Sequence, residues 1–206
     1  MISLISSSKF KEIVTSKGVR SKQRAKYLYQ KAGEVITMEP VEHYTNSYMD
    51  LGRVREDEAR RDYEWRHDVE VVQVGFCFYD DNREFGSSPD GLVGKNGFIE
   101  TKSRNAKYQV QTIFEHIAQE AETPIPAEYM LQVQTGLFVT GRDWCDFNSY
   151  SNGLNMLTIR CEQMPEYQDA IKTAAIEAEA KINEIVSAVQ ASNSKHSSTI
   201  HPVKWI

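Results

Sequence analysis

The chain has 206 residues, a formal net charge of -5, and 40% hydrophobic and 26% charged residues. This length suits one globular domain with a substantial core, so we expect residues 1–206 to form a single domain with a polar C-terminal tail over residues 191–206.

No apolar run approaches the roughly twenty residues that cross a bilayer, and residues 1–6 lack the features of a signal peptide. The sequence therefore predicts no membrane association and a cytoplasmic location. The negative charge excludes a protein that coats nucleic acid indiscriminately, although a local basic groove stays possible.

The predicted elements mix helices and strands along the whole chain. Apolar spacing, capping residues and glycines predict, in chain order, a short helix over 9–14, a helix from 21 that ends at Gly33, a helix over 49–65, a strand over 69–79, a hairpin within 87–102, helices over 106–121 and 127–139, strands over 144–150 and 154–161, and a last helix over 165–189. This order indicates an α/β fold without internal repeats or a domain linker.

The hairpin carries the most informative side chains. Glu100 and Lys102 lie two residues apart on a predicted strand and so project from one face. Glycines over 91–97 supply the turn that brings Asp90 across from Glu100. Two adjacent carboxylates repel unless a divalent cation or the Lys102 ammonium neutralises them, and oxygen ligands suit Mg²⁺ or Mn²⁺. The pattern indicates metal-assisted phosphodiester chemistry, but a turn Asp and an exposed Glu/Lys pair are also ordinary surface features.

Basic residues are concentrated in two places. Five of them fall within ten residues that contain no acid, at Lys17, Arg20, Lys22, Arg24 and Lys26. This run is either a solvated helix surface or a contact for phosphates. The second group, Arg104 and Lys107, follows the hairpin directly and is therefore the better candidate for binding DNA near the reaction.

Three separated motifs give the chain a specific resemblance. They are GRVREDEAR at 52–60, SPDG at 88–91 followed by ETK at 100–102, and YMLQVQ at 129–134. In this order and spacing they resemble the lambda exonuclease, or YqaJ-type viral recombinase, family of PD-(D/E)xK nucleases, from about residue 48 to residue 141. The resemblance implies a restriction-endonuclease-like core, in which a central mixed β-sheet is flanked by α-helices.

The resemblance also implies the ligands of the metal. Asp90 and Glu100, already the best candidates from the hairpin, would bind Mg²⁺ or Mn²⁺ together with the backbone carbonyl of Thr101. Glu56 in the first motif matches an additional carboxylate that would reach a second ion, so two ions per site are expected. By itself Glu56 would be a solvated charge in an acidic run.

Three further side chains are expected to act in catalysis. Lys102 would orient or deprotonate the attacking water or stabilise charge on the phosphate. Gln132 and Tyr129, one helical turn apart, would hold the water and the lysine by hydrogen bonds. Without the resemblance, Tyr129 and Gln132 would be interpreted as a buried aromatic and a surface amide.

Recognition of the DNA end is expected from serines and basic residues. The resemblance implies that Ser88 hydrogen-bonds a terminal phosphate, although a hydroxyl that only stabilises the turn is the other interpretation. It also implies that Ser6 and Ser8 belong to an N-terminal segment that grips the 5′ phosphate. The family usually places an Arg before that segment, and none precedes it here. Lys9, Lys11 or Arg104 would have to substitute, or phosphate selection is weaker; Arg104 and Lys107 are the other expected DNA contacts.

The expected activity follows from the family. Members degrade one strand of double-stranded DNA from its 5′ end, commonly as a ring-shaped homotrimer, beside a single-strand annealing protein in phage-type recombination. An alternative is a DNA endonuclease of restriction or repair type with the same hairpin. A third hypothesis, a DNA-binding module with a decayed site, is disfavoured because every expected catalytic residue type is present.

Overall fold

The computed structural model describes residues 5–40, 47–80 and 85–194. Within these ranges the strands are β1 (Ile5–Ser6), β2 (Val71–Val72), β3 (Cys77–Phe78), β4 (Phe85–Ser87), β5 (Gly91–Val93), β6 (Gly97–Ser103), β7 (Trp144–Tyr150) and β8 (Leu157–Glu162). The α-helices are α1 (Arg24–Thr37), α2 (Ser47–His67), α3 (Ala106–Ile117), α4 (Ala127–Thr140) and α5 (Pro165–Ser194), and a 3-10 helix spans Ser7–Glu12.

The main sheet has five strands in the order β2-β5-β6-β7-β8. Strands β6 and β7 are parallel, whereas the other neighbours are antiparallel. A smaller sheet, β1-β4-β3, contains the parallel pair β1 and β4 and the antiparallel pair β3 and β4. The predicted α/β fold with a mixed sheet is therefore confirmed.

Helices cover both faces of the main sheet because β6 is apolar on both sides. Phe98 packs in one cluster with Met130 and Val133 of α4, while its neighbour Ile99 packs in another cluster with Tyr63 of α2. A third cluster joins the 3-10 helix, α1, α4 and α5, with Phe10 at its centre. Strand β6 thus lies between α2 and α4, and its polar residues are held in a rigid frame. Across the described ranges, no helix is both long and apolar enough to cross a bilayer.

Two predictions about the N-terminal half are wrong. The helix predicted to end at Gly33 continues to Thr37 and ends at Met38, whose φ of 58° is left-handed. An interior glycine costs a helix only about 1 kcal/mol, which tertiary packing overcomes. The single strand predicted over 69–79 consists of β2 and β3, which pair with strands of different sheets. Apolar content alone could not reveal this change of partner.

Other boundaries differ by a few residues. The predicted short helix over 9–14 is the 3-10 helix, helix α3 stops before the left-handed Gln119, and β8 starts at Leu157. Strand β4 was not predicted. Helix α5 extends to Ser194, so residues 191–194 of the expected polar tail are helical, and residues 195–206 lie outside the described residues.

Candidate active site

The hairpin forms with the predicted register. Gly91 of β5 lies opposite Ile99 of β6, which places Asp90, one residue earlier, beside Glu100. The backbone N–H of Asp90 donates to the carbonyl of Ile99 at 3.2 Å. The backbone N–H of Thr101 donates to Asp90 Oδ2 at 2.6 Å, so the carboxylate is tied directly to the neighbouring strand.

Glu100 is the centre of the site. It is only 4% exposed, and its Oε1 accepts hydrogen bonds from Lys102 Nζ at 2.5 Å and from Gln132 Nε2 at 2.6 Å. Lys102 comes from the same strand face, as the period of two predicts. Gln132 comes from α4, which covers that face. The structure therefore brings two of the predicted residues, Lys102 and Gln132, to one oxygen atom of a third, Glu100.

The acidic side chains are in surroundings that disfavour their charge. Burial raises the pKa of Glu100 to about 7; Lys102 opposes this rise, while Asp90 and Glu56 add to it. Burial also raises the pKa of Asp90, against the effects of the Thr101 N–H and Lys102. A second positive charge between the two carboxylates would relieve this penalty.

Lys102 is held as an ammonium ion. Burial lowers its pKa, but the ion pair with Glu100 and the charge of Asp90 outweigh that effect, and the pKa is raised above its ordinary value. Its Nζ also lies 5.7 Å from the centre of the Tyr129 ring, and that ring packs at 5.2 Å against Phe147. The Tyr129 ring therefore lies near the lysine, and its expected hydrogen bond to the lysine or the water stays a prediction.

The donor set fits a hard divalent cation. Among the described residues, Asp90 Oδ1 and Glu100 Oε2 have no hydrogen-bond partner, so each carboxylate keeps one oxygen for a ligand. A group of three His, Cys, Asp or Glu side chains that could hold an ion is not found in the described ranges. The remaining ligands would be the carbonyl of Thr101, water and substrate oxygens, as Mg²⁺ commonly uses.

Glu56, the third predicted acid ligand, comes from a helix and not from the hairpin that carries Asp90 and Glu100. It is exposed on α2, the helix that covers the opposite face of the sheet. Its charge raises the pKa of Glu100. Its role toward a second ion stays a prediction, as does that of the Thr101 carbonyl.

The predicted phosphate-binding serines approach the hairpin from the small sheet. Strand β1 pairs with β4, and Ser7 Oγ and Ser87 Oγ are hydrogen-bonded at 2.9 Å inside the protein. Ser6 Oγ and Ser8 Oγ are 3.2 Å apart, and Ser88 is exposed just before Asp90. The fold thus places the N-terminal serines beside the strand that leads into the site, and their contact with phosphate stays a prediction.

Arg104 differs from a free surface cation. It is buried and donates to Thr112 Oγ1 at 2.5 Å and to Glu128 Oε1 at 3.1 Å. Its guanidinium carbon also lies 5.6 Å from the centre of the Tyr129 ring. Lys107, by contrast, is exposed. Both remain candidate DNA contacts, but Arg104 is oriented by the protein itself.

A buried network on the opposite sheet face was missed by the sequence analysis. Asp146 on β7 is 2% exposed, accepts from Tyr63 at 2.7 Å and forms two hydrogen bonds with Arg160 at 2.8 and 2.9 Å. Burial and the bond to Asp146 raise the pKa of Tyr63. An Asp inside the otherwise apolar start of a predicted strand was the available signal, because buried acids are normally paired.

Sheet and hairpin together define a restriction-endonuclease-like α/β protein, in which a lysine and two carboxylates lie on adjacent strands. A family model described as the YqaJ-like viral recombinase domain matches residues 3–143. The chain therefore belongs to this family, as its three motifs predicted.

Solved structures have the same fold. The alkaline exonuclease LHK-Exo from Laribacter hongkongensis matches with a TM-score of 0.80 and 26% identity, over 95% of this chain and 96% of that one, and a structure of LHK-Exo in complex with dAMP matches equally. A phage-related exonuclease from Haemophilus somnus 129PT has a TM-score of 0.70 at 14% identity, over 90% of this chain and 96% of that one, and supports the fold alone.

One viral protein is similar in sequence. The uncharacterized protein R354 of Acanthamoeba polyphaga mimivirus is 26% identical over 136 residues, or 63% of this chain. The matched part is only 22% of the length of the mimivirus protein, so this chain corresponds to a small part of that protein.

Proposed function

We propose that the chain is a metal-dependent exonuclease that hydrolyses one strand of double-stranded DNA and acts in recombination. The observation that carries this proposal is the convergence of Lys102 and Gln132 on one oxygen of Glu100, beside Asp90. Membership of a viral recombinase family and the similarity to an alkaline exonuclease over nearly the whole chain support the same activity.

The metal would be Mg²⁺ or Mn²⁺, held by Asp90, Glu100 and the Thr101 carbonyl, with Glu56 toward a second ion. When bound, such a cation polarises the phosphodiester and lowers the pKa of water. The chain supplies the frame: Gln132 fixes the orientation of Glu100, and the Thr101 N–H fixes that of Asp90. Both carboxylates are therefore oriented before the ligands arrive, which reduces the cost of reorganisation.

Lys102 has a role that depends on its charge. In the absence of a cation it is an ammonium ion paired with Glu100, which suits stabilisation of negative charge on a phosphate oxygen. Neutralisation of the two carboxylates would remove the effect that raises its pKa, and would allow the same amine to accept a proton from the attacking water. The Tyr129 ring restricts the lysine to the neighbourhood of Glu100.

The proposal also covers the direction of digestion and the assembly of the protein. We propose 5′-to-3′ digestion, a homotrimer and cooperation with a single-strand annealing protein in the cytoplasm of a bacterial or phage-infected cell. The position of Ser6 and Ser8 at the strand that pairs with β4 supports selection of a 5′ phosphate. Helix α3 exposes three apolar side chains, those of Val110, Phe114 and Ile117. An exposed apolar surface of this kind supports an assembly in which a neighbouring subunit covers it.

The test is a digestion assay with three DNA substrates: linear 5′-phosphorylated, linear 5′-hydroxyl and closed circular duplex. We expect Mg²⁺-dependent release of mononucleotides from linear DNA, with preference for the 5′ phosphate, and no cleavage of circles. Asp90→Ala and Lys102→Ala should abolish digestion while leaving the fold intact. Near-normal activity in both variants would contradict the proposal, and cleavage of circles would favour an endonuclease.

A further inference from the structure

We infer that Tyr108 forms a stacking subsite for a nucleobase of single-stranded DNA, next to the proposed active site. The inference rests on the proposed function, because it concerns the strand that enters or leaves that site. Tyr108 lies in the first turn of α3 and is 45% exposed, so part of its ring is open to a ligand.

A continuous series of cations and aromatic rings joins Tyr108 to the site. Lys102 Nζ lies 5.7 Å from the centre of the Tyr129 ring, and Arg104 Cζ lies 5.6 Å from that centre and 5.6 Å from the centre of the Tyr108 ring. Lys107 Nζ lies 4.6 Å from the centre of the same ring, and because Lys107 is exposed on a flexible stem, a stacking base can displace it.

The ring is held in place from inside the protein. Arg104, which lies against Tyr108, is buried and fixed by Thr112 and Glu128. A half-exposed ring supported by a fixed guanidinium has little freedom to lose when a base stacks on it. Such preorganisation increases affinity, and aromatic rings bind bases of any sequence because every base has a π face.

The charge around the ring indicates where base and phosphate would lie. Tyr108 and Arg104 line an open cleft of about 380 Å³ between α3 and the start of α4. The other charged or titratable side chains of that cleft are mostly acidic: Glu115, His116, Glu120, Glu122 and Glu128. These carboxylates would repel a phosphate but accept hydrogen bonds from the N–H groups of a base, such as N3–H of thymine, whereas Lys107 would attract the phosphate outside the cleft.

The apolar surface of α3 faces another direction. Val110, Phe114 and Ile117 are separated from Tyr108 by roughly half a turn of the helix, from the 100° rotation per residue of an α-helix. A subunit contact through that surface would therefore leave Tyr108 accessible. The two surfaces can be tested independently.

The experiment measures the affinity of the full-length chain for two fluorescent probes in an Asp90→Asn background, which prevents hydrolysis. One probe is a 12-residue oligothymidylate, and the other is an abasic strand of equal length and charge. We expect Tyr108→Ala to weaken binding of oligothymidylate by about 5- to 150-fold, the range that base stacking on an aromatic side chain gives. Binding of the abasic probe should change less than about twofold, since the phosphate contacts remain.

Two further variants separate stacking from a structural effect. Tyr108→Phe keeps the ring and should retain the wild-type affinity for oligothymidylate. Trp65→Ala removes a larger aromatic that is 83% exposed on α2, away from the cleft, and should leave both affinities unchanged. Equal weakening of both probes by Tyr108→Ala, or no weakening of either, would overturn the inference. If the wild-type chain also fails to digest linear DNA with Mg²⁺, the proposed function fails; if it digests DNA normally, only the stacking subsite is refuted.

Discussion

Replacing Glu100 by Gln is expected to stabilise the metal-free protein at alkaline pH while abolishing hydrolysis. Glu100 is buried, and its pKa of about 7 exceeds the ordinary value of 4.5. The folded chain therefore binds a proton at Glu100 more tightly than the unfolded chain does. This contribution to stability is complete below the unfolded pKa and is lost as the pH rises from about 4.5 to about 7. Gln has the shape of the protonated acid but cannot ionise, so the variant does not lose this contribution to stability as the pH rises.

The size of the effect follows from the difference between the two pKa values. One pKa unit corresponds to about 1.4 kcal/mol, so the shift gives an upper limit of about 3 kcal/mol at pH 8. Lys102 loses its ion-pair partner in the variant, which reduces the gain. For a chain of this length, 1 kcal/mol changes Tm by roughly 2–4 °C, and the limit corresponds to roughly 6–12 °C.

The assay is thermal and denaturant unfolding of wild type and Glu100→Gln in EDTA at pH 5 and pH 8. We expect the variant to be more stable at pH 8 and the difference to become small at pH 5, where wild-type Glu100 is largely protonated. Mg²⁺ should raise the Tm of the wild type but not of the variant, since a ligand stabilises only the state that binds it.

Glu184→Gln is a matched control, because Glu184 is an exposed acid on α5 paired with Lys181. It should change the free energy of unfolding by less than about 0.5 kcal/mol at either pH. A Glu100→Gln variant that is destabilised equally at both pH values would show that the ion pair with Lys102 outweighs the cost of burial. The electrostatic description of the site would then be wrong.

Three further predictions concern residues around the centre. Gln132→Ala should lower kcat by about 10- to 100-fold, measured by release of nucleotides from linear duplex, because Glu100 loses the amide that orients it. Asp146→Ala should lower the free energy of unfolding by about 1–3 kcal/mol, measured with urea, because it leaves the buried hydroxyl of Tyr63 without its partner; an unchanged midpoint would contradict this. Lys107→Ala should weaken duplex binding similarly for all sequences and reduce the slope of log affinity against log salt by about 1, whereas an unchanged slope would exclude a phosphate contact.

Local rules predicted the hairpin well. The period of two placed Glu100 and Lys102 on one face, and the glycine-rich turn placed Asp90 beside Glu100, because both features depend on residues close in sequence. The third motif predicted that Gln132 lies in the site and holds the water and the lysine, whereas its hydrogen bond to Glu100 was not predicted, since 32 residues separate the two and no local rule joins them.

Contacts between distant elements could not be predicted in the same way. Arg104 appeared as a free cation in the sequence, but it is fixed by Thr112 and by Glu128 at the start of α4. Gly33 was interpreted as a helix end because glycine is a weak helix former, but the packing of α1 on α5 stabilises the helix beyond this glycine. In each case the missing information was the partner across the fold.

The register between β6 and β7 connects the stability of the fold with the position of the site. Ile99 lies opposite Asp146 and Glu100 lies opposite Phe147, so the two faces of this parallel pair have different chemistry. A slip by one residue would turn Glu100 toward α2 and Ile99 toward Gln132, because side chains alternate between the faces. Asp146 fixes the face of β7 that is turned toward α2, since its partners Tyr63 and Arg160 come from α2 and β8. The pairing of β6 with β7 then places Ile99 on that face and leaves Glu100 on the face that α4 covers.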